Sequence, residues 1–495
     1  MLDSLGGGKP QRVVLVDLNN FASFPTLAIG LITAALRNAG FAVQVICPLA
    51  HDVPGALREK RETLKDHVRR RLSLSTWRPA RGLLDRARVL VHRWKARPHR
   101  VVLREIDRVL ATAPDVLLLS AYLQHEATIR RIAARAKARD VPVLLGGPMF
   151  NIAGVSEDWR TIPGLVAIFG GEADVVASDL EAAVCAGDDL LRFDGVTLPD
   201  GRRSRAAAPL RPLRQVPVPD FTDFPWDRYP NRIVPLMAGR GCQWARCLFC
   251  SDVVSANGRG FRTRGVGDVL AEMREQARRH ASTNFLFLDL KLNSDPNMLR
   301  GLAEGIQREV PGAEWVGTVH VDLRRDNGLS RRELRACVAA GMRRISFGLE
   351  SGSQRMLDAM VKGSSVEANA AFVRDAHAAG LSVRCTMFKG FPGETAEDMD
   401  ASAAFLEEHE ARLDRVRFNE FAIIEGTPIY ETLTTRSDGD VAIRAVERGQ
   451  GRAWGRLEGS ERRAYRRAKA RLLAAVYRIN RKPIRRQARA FDGLM

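Results

Sequence analysis

The stretch GRGCQWARCLFCSD, residues 239–252, places Cys242, Cys247 and Cys250 on one short loop. It follows an apolar run, Ile233-Val234-Pro235-Leu236-Met237, that predicts a buried strand. Three thiols this close suit a metal ion or an iron–sulfur cluster, because thiolate sulfur is a soft ligand for such centres. The odd number is informative. A structural zinc site is closed by four protein ligands, whereas three leave one metal position open. No His or fourth Cys follows at zinc-finger spacing, and Trp244, Leu248 and Phe249 would keep water off a cluster. The competing readings are a Cys-rich turn with buried free thiols and a zinc knuckle completed from elsewhere.

Downstream of this loop, strand and helix patterns alternate. Strands are predicted at 285–289, 314–321, 344–349, 383–388 and 415–422, with helices from Asp295-Pro296 and over 331–340, 353–360, 365–379 and 396–408. Asp289, Asn293, His320 and Asp322 fall at or just past strand ends, where a side chain can orient a substrate or exchange a proton. His320 reads equally well as a satisfied core histidine, and Cys385 reads as packing. Two further runs sit at strand ends: GLESGS at 348–353, followed by MVKG at 360–363, and GFPGET at 390–395.

Taken together, the Cys loop and these ordered runs resemble radical S-adenosylmethionine (SAM) enzymes, in which three Cys hold a 4Fe-4S cluster and SAM chelates the fourth iron. The usual spacing there is C-x3-C-x2-C; here it is C-x4-C-x2-C. The resemblance implies a partial (β/α)6 TIM-type barrel over 233–432, with Cys242, Cys247 and Cys250 as cluster ligands. It places Phe249, Glu350, Ser351, Ser353, Gly390, Gly393 and Ile423 at SAM. Glu350 would take the ribose hydroxyls, the two serines a carboxylate, the glycines would make room for the adenosine, and Phe249 and Ile423 would wall the adenine. Without the resemblance, Glu350 reads as one end of a salt bridge at a barrel rim. Asp289, His320 and Asp322 are the catalytic candidates.

The N-terminal half reads as strands at 12–17, 41–47, 114–119, 141–145 and 165–169, with helices at 27–39 and 125–139. Gly40 is the C-cap of the first helix. This alternation predicts a doubly wound parallel sheet over 10–195, and such sheets bind ligands at their C-terminal strand ends. Asn19, Ser120, Gly146, Gly147, Gly170, Gly171 and Glu172 fall on that edge, although glycines after strands are also ordinary turn formers. The pattern resembles the cobalamin-binding domain that precedes the barrel in one large radical SAM class, which implies that these seven residues lie against cobalamin. The DxHxxG motif is absent, and His125 reads as a surface helix start.

An Arg-rich insertion at 51–104, with Trp77, Trp94 and helices over 54–74 and 81–95, reads as a solvated excursion of the N-terminal domain. The proline-rich stretch 196–232 reads as a linker. Residues 433–495 are basic and carry a helix from 460 to about 480, whose apolar stripe of Leu472, Leu473, Val476 and Ile479 would close the open side of the barrel. The fold class is α/β: a doubly wound sheet, then a partial barrel, then a small helical region.

Over 495 residues the net charge is +19, carried largely by Arg in an Arg- and Ala-rich chain. No RNA-recognition pattern or DNA-binding motif accompanies it, so a solvated basic surface is preferred to a nucleic-acid partner. No apolar run is long enough to span a bilayer, no secretory h-region opens the chain, and the seven Cys form no disulfide framework. A reduced, cytoplasmic protein is the expectation.

The implied cofactors are a 4Fe-4S cluster, SAM and cobalamin. The resemblance implies that an electron from the cluster splits SAM to a 5′-deoxyadenosyl radical, which takes hydrogen from an unactivated carbon, and that cobalamin carries the methyl group. C-methylation of a small or carrier-bound biosynthetic intermediate is therefore expected, with flavodoxin or ferredoxin as electron donor. Cobalamin-dependent cyclisation or rearrangement without methyl transfer is the alternative. A tRNA-modifying methylthiotransferase would need a second, N-terminal cluster, for which only Cys47 and Cys185 are at hand. A Cys-zinc nucleic-acid-binding protein is the non-enzymatic contrast.

Overall fold

The computed structural model describes residues 10–57, 61–74, 87, 90, 98–255, 258, 260–435, 441–447, 450–455 and 459–494. Contacts divide the chain into two units. The first comprises Met1–Ala56, Val91–Pro230 and Ser255–Asn257; the second comprises Leu57–Leu90, Asn231–Val254 and Gly258–Met495.

In the first unit, β1 (Arg12–Asp17), β2 (Ala42–Ile46), β3 (Val116–Ser120), β4 (Val143–Gly146) and β5 (Leu165–Phe169) form a parallel sheet, to which the short β6 (Val196–Thr197) adds an antiparallel edge. The order β2-β1-β3-β4-β5-β6 is a doubly wound arrangement. β1 and β3 are runs of Val and Leu because helices cover both faces of the sheet, which leaves no polar side to alternate with. Ile106, Ile129, Ile132, Val155 and Trp159, from the flanking helices, pack into the same core as the strand residues Leu117, Leu119 and Leu145.

The proline-rich stretch does not behave as a free spacer. Its Asp220 and Asp223 both pair with Arg37 on helix Leu27–Asn38, at 2.7 and 2.8 Å, and tie the segment to this unit.

In the second unit β7 (Ile233–Leu236) opens a parallel sheet and is followed by a hairpin of β8 (Gly239–Cys242) and β9 (Gly260–Thr263). The sheet continues through β10 (Asn284–Phe287), β11 (Glu314–Val319), β12 (Met342–Glu350), β13 (Ser382–Lys389) and β14 (Arg415–Glu420). Its order, β14-β13-β12-β11-β10-β7, follows the sequence strand by strand, with helices between successive strands, so the six strands make the predicted partial barrel. β7 is one of its two edges, which is why Pro235 is tolerated there: the missing N–H is not needed by a second neighbour.

A small antiparallel sheet of β15 (Ile423–Ile424), β16 (Val441–Glu447) and β17 (Gln450–Gly455) follows. Helix Gly459–Asn480 then packs against helix Ala396–Glu408, burying Leu472, Leu473, Val476 and Ile479. Its last residue, Asn480, accepts from Val416 N–H at 2.7 Å and donates to Val416 C=O at 2.9 Å, so a side-chain amide satisfies the other open edge, β14.

Two expectations are revised. The insertion at 51–104 was assigned to the N-terminal domain, but its described residues 61–74 group with the second unit. Within them helix Leu64–Ser73 replaces the predicted 54–74; its His67 ring lies 4.6 Å from Tyr477, and Glu62 accepts from Asn480. The second predicted helix, 81–95, lies outside the described residues apart from positions 87 and 90. Among the described residues no helix is long and apolar enough to cross a membrane.

Candidate active site

The Cys loop is held at its root by Asp289, just past the end of β10. Its carboxylate accepts the amide N–H groups of Ala238, at 3.0 Å, and Gly239, at 2.6 Å, and so fixes the start of β8. Burial pushes its pKa up to about 7, against the pull of those two bonds. Gly241 sits at φ +79 with space for no side chain, because a Cβ there would lie 2.0 Å from the Gly260 carbonyl oxygen. Cys242 therefore emerges from a rigid hairpin.

Beyond Cys242 the longer spacing is absorbed by a backbone kink and an anchor. Ala245 takes the left-handed φ of 43°, and the Trp244 indole N–H donates to the Val361 carbonyl at 2.8 Å. Leu248 N–H donates to the Met360 carbonyl at 3.1 Å. The loop is thus bonded to the turn at 360–363.

Cys242, Cys247 and Cys250 line one cavity of about 230 Å³, together with Phe249, Asp252, Lys291, His320, Glu350 and Lys362. Among the described residues no three His, Cys, Asp or Glu side chains are grouped as a single ion requires. Thiols spread around a shared cavity fit a polynuclear centre instead, in which each sulfur takes a different iron. Burial raises the Cys247 thiol, while Lys362 and Lys291 oppose the rise. Burial also pushes Cys250 up to about 12, with Asp252 adding to it. Bound iron reverses this, since a coordinating thiol is deprotonated outright. The donor set fits the cluster.

Glu350 closes β12 at φ 60, a conformation that a non-glycine residue adopts only under constraint. Its Oε1 lies 2.8 Å from Lys362 Nζ, and both residues are buried. Phe249 packs at 5.1 Å against Phe388, which stacks on Phe421 at 5.2 Å. Phe391 and Ile423 belong to the same apolar cluster, so an aromatic surface adjoins the cavity through Phe249. At Gly390 and Gly393, with φ of +87 and +81, an added Cβ would meet open space.

Other predicted residues do different work. Ser351 Oγ is bonded to Ser402 Oγ at 3.1 Å, and Ser353 Oγ donates to Asp398 at 2.6 Å; neither serine lines the cavity. Asp322 is paired with Arg324, whose guanidinium also bonds the Gln243 side chain and the carbonyls of Asn293 and Ser294. Asp322 and Asn293 therefore brace loops. Of the three catalytic candidates only His320 lines the cavity. Burial, with Lys291 and Lys362 nearby, holds its pKa far below the usual imidazole range, and its Nε2 has no partner. Sequence reasoning assigned no role to Lys291 or Lys362; the MVKG run was the available signal for the second.

In the first unit the seven predicted residues lie at or just past the C-terminal ends of β1, β3, β4 and β5, on one edge of the sheet. Asp17, pushed up to about 6 by burial, accepts from Asn19 N–H, Asn20 N–H and Thr26 Oγ1 and shapes the first of these loops. Glu172 is committed to its own fold, accepting from Leu210 N–H. Gly147, Gly170 and Gly171 are required by close backbone or side-chain neighbours, whereas Gly146 has only ordinary contact at 3.6 Å.

Residues 236–406 match the Radical SAM superfamily. The chain is similar to an uncharacterized methyltransferase of Pyrococcus horikoshii, 26% identical over 332 residues, covering 66% of this chain and 69% of that protein. Among solved structures it is similar to OxsB, a cobalamin-dependent S-adenosylmethionine radical enzyme solved with aqua-cobalamin bound. The TM-score is 0.66 at 16% identity, over 91% of this chain and 65% of OxsB, so the chain spans somewhat less than two thirds of that protein. It is also similar to TsrM from Kitasatospora setae, a radical S-adenosylmethionine methyltransferase solved with cobalamin and a 4Fe-4S cluster bound. There the TM-score is 0.60 at 18% identity, over 88% of this chain and 81% of TsrM. The segment that matches the Radical SAM superfamily holds the Cys loop and most of the six-stranded partial barrel. The fold of the chain is the one found in OxsB and TsrM.

Proposed function

We propose that this protein is a cobalamin-dependent radical SAM enzyme that methylates an unactivated carbon of a small or carrier-bound biosynthetic intermediate. The observation that carries the reading is the set of three thiols around one cavity shared with Glu350 and Phe249, in a chain that also contains a doubly wound sheet. The cobalamin in OxsB and TsrM and the methyltransferase name of the Pyrococcus relative support the methyl-transfer part. When bound, the cluster supplies one electron to the SAM sulfonium, and cobalamin carries the methyl group.

The chain's own residues bind, orient and exclude water. Cys242, Cys247 and Cys250 would hold the cluster and leave a position for SAM. Glu350 takes the ribose, Phe249 and Ile423 face the adenine, and Gly390 and Gly393 leave room for the adenosine. Asn19, Ser120, Gly146, Gly147, Gly170, Gly171 and Glu172 form the edge that receives cobalamin, with Glu172 shaping the edge through Leu210. His320, buried with a free Nε2, is the group placed to meet substrate in the cavity. Flavodoxin or ferredoxin is the proposed electron donor.

The test is anaerobic reconstitution with iron, sulfide and hydroxocobalamin, followed by mass spectrometry of the SAM products. S-adenosylhomocysteine together with 5′-deoxyadenosine is expected for methyl transfer. 5′-Deoxyadenosine alone would replace methylation by rearrangement, and protein that retains no cobalamin would overturn the cobalamin assignment.

A further inference from the structure

We propose that Lys362 is a positioning residue that joins the cluster site to the nucleotide site, holding Glu350 in place for the ribose and raising the reduction potential of the cluster. The inference rests on the radical SAM reading and adds to it a residue with no role in that reading.

Lys362 lies on the turn between helices Gln354–Ala359 and Val366–Ala379, and that turn is clamped to the cluster loop. The Met360 carbonyl accepts from Leu248 N–H, the Val361 carbonyl from the Trp244 indole, and the Gly363 carbonyl from Leu323 N–H at 3.3 Å. Trp244 also presses on Gly363, where a Cβ would lie 2.5 Å from the indole. Lys362 is only 4% exposed, and its ammonium has a fixed position: 2.8 Å from Glu350 and 5.7 Å from the centre of the Phe249 ring, on the wall that carries the three thiols. Gly348 makes space for this arrangement, since a Cβ there would lie 2.2 Å from Glu350 Oε1 and 2.7 Å from Lys362 Nζ.

A buried ion pair is poor evidence for stability, because desolvation offsets most of the attraction. Here the pair ends a strand at a strained residue beside three thiols, which points to a role at the site. Reducing a cluster adds one negative charge to it. A fixed cation in a water-poor wall favours the more negative state and so raises the potential. Removing the cation leaves the Glu350 carboxylate unpaired in the same wall, which acts in the opposite direction and frees the carboxylate to swing away from the ribose.

The test uses the full chain, reconstituted anaerobically, as wild type, K362M, K362R and E350Q. The readouts are the cluster midpoint potential, followed by electron paramagnetic resonance, and the SAM dissociation constant of the oxidised protein. K362M is expected to lower the midpoint and weaken SAM binding by about tenfold, the scale of other residues that orient ligands at metal sites. K362R should return the midpoint towards wild type, and E350Q should weaken SAM binding while raising the midpoint. A K362M protein with wild-type midpoint and wild-type SAM affinity overturns the inference. Should K362M hold no cluster, E350Q decides: a raised midpoint supports the inference and an unchanged one overturns it. Wild-type protein without a cluster would instead defeat the radical SAM reading itself.

Discussion

The Trp244 indole N–H reaches across to the carbonyl of Val361 and pins the Cys loop to a turn more than a hundred residues later in the chain. This contact sits in the part of the loop that is one residue longer than the usual C-x3-C-x2-C. An insertion in a ligand loop adds conformational freedom unless something removes it. The Trp244 anchor, with Ala245 at positive φ, removes it here. W244A is therefore expected to fold but to hold substantially less iron and sulfide per chain than wild type. Iron and sulfide analysis checks this, and a full complement in W244A would show that the anchor is dispensable.

Asp289 is a brace for the cluster loop. Replacing it with Ala strands two buried amide N–H groups, at about 1–3 kcal/mol each. D289A should melt several degrees lower and lose cluster, while D289N, which keeps one acceptor oxygen, should lie between it and wild type. Thermal melting with iron analysis distinguishes this from a proton-transfer role, in which D289N would keep wild-type stability and iron yet lose activity.

Tyr465 on the C-terminal helix donates to Glu394 at 2.6 Å, and the same oxygen accepts from Gly390 N–H at 2.7 Å. The helix thereby steadies the glycine turn after β13. Y465F should destabilise the protein by about 1 kcal/mol and raise the KM for SAM more than it lowers kcat. Steady-state kinetics against SAM concentration checks the split.

Glu181, on helix Ala177–Ala186, is fully buried and neither of its carboxyl oxygens has a hydrogen-bond partner. Burial lifts its pKa from 4.5 to about 8, so the folded state binds its proton more tightly than the unfolded state does. The resulting stabilisation is fully present below the unfolded value and is lost as pH rises through about 8, with a slope of about 1.4 kcal/mol per pH unit between the two. E181Q lacks this slope. Its melting temperature should gain on wild type as pH is raised from 5.5 to 8.5, by about the amount that slope gives; parallel curves would contradict the burial argument.

Much of the fold was legible because its signals are local. The Val- and Leu-rich strands, the helix periods between them and the three closely spaced cysteines each occupy a short window of sequence. The strand-end runs were legible for the same reason. What escaped was the choice of partner for each polar side chain, which is made by distant chain. Ser351 and Ser353 carry the right chemistry for a carboxylate, but Ser402 and Asp398 arrive from helix Ala396–Glu408 and take their hydroxyls. Asp289 stands at a strand end, as a catalytic acid would, yet its acceptors are filled by amides of the preceding strand connection. Asp322 is likewise taken by Arg324 two residues on. Proline content predicted a spacer at 196–232, and only the ion pairs of Asp220 and Asp223 with Arg37 reveal that it is fastened. Residues 61–74 could not be assigned by position, because Glu62 and His67 find their partners on a helix some four hundred residues later.

The central claim is that three cysteines hold a cluster with one iron left open to SAM. The most direct measurement is the yield of 5′-deoxyadenosine when the anaerobic, reconstituted protein is reduced in the presence of SAM, with C242A, C247A and C250A prepared alongside. The account predicts product from the wild type and none from any of the three variants, each lacking an intact cluster. A wild-type protein that carries iron and sulfide yet leaves SAM intact under reduction, or a cysteine variant that keeps its cluster and cleaves SAM, would contradict it.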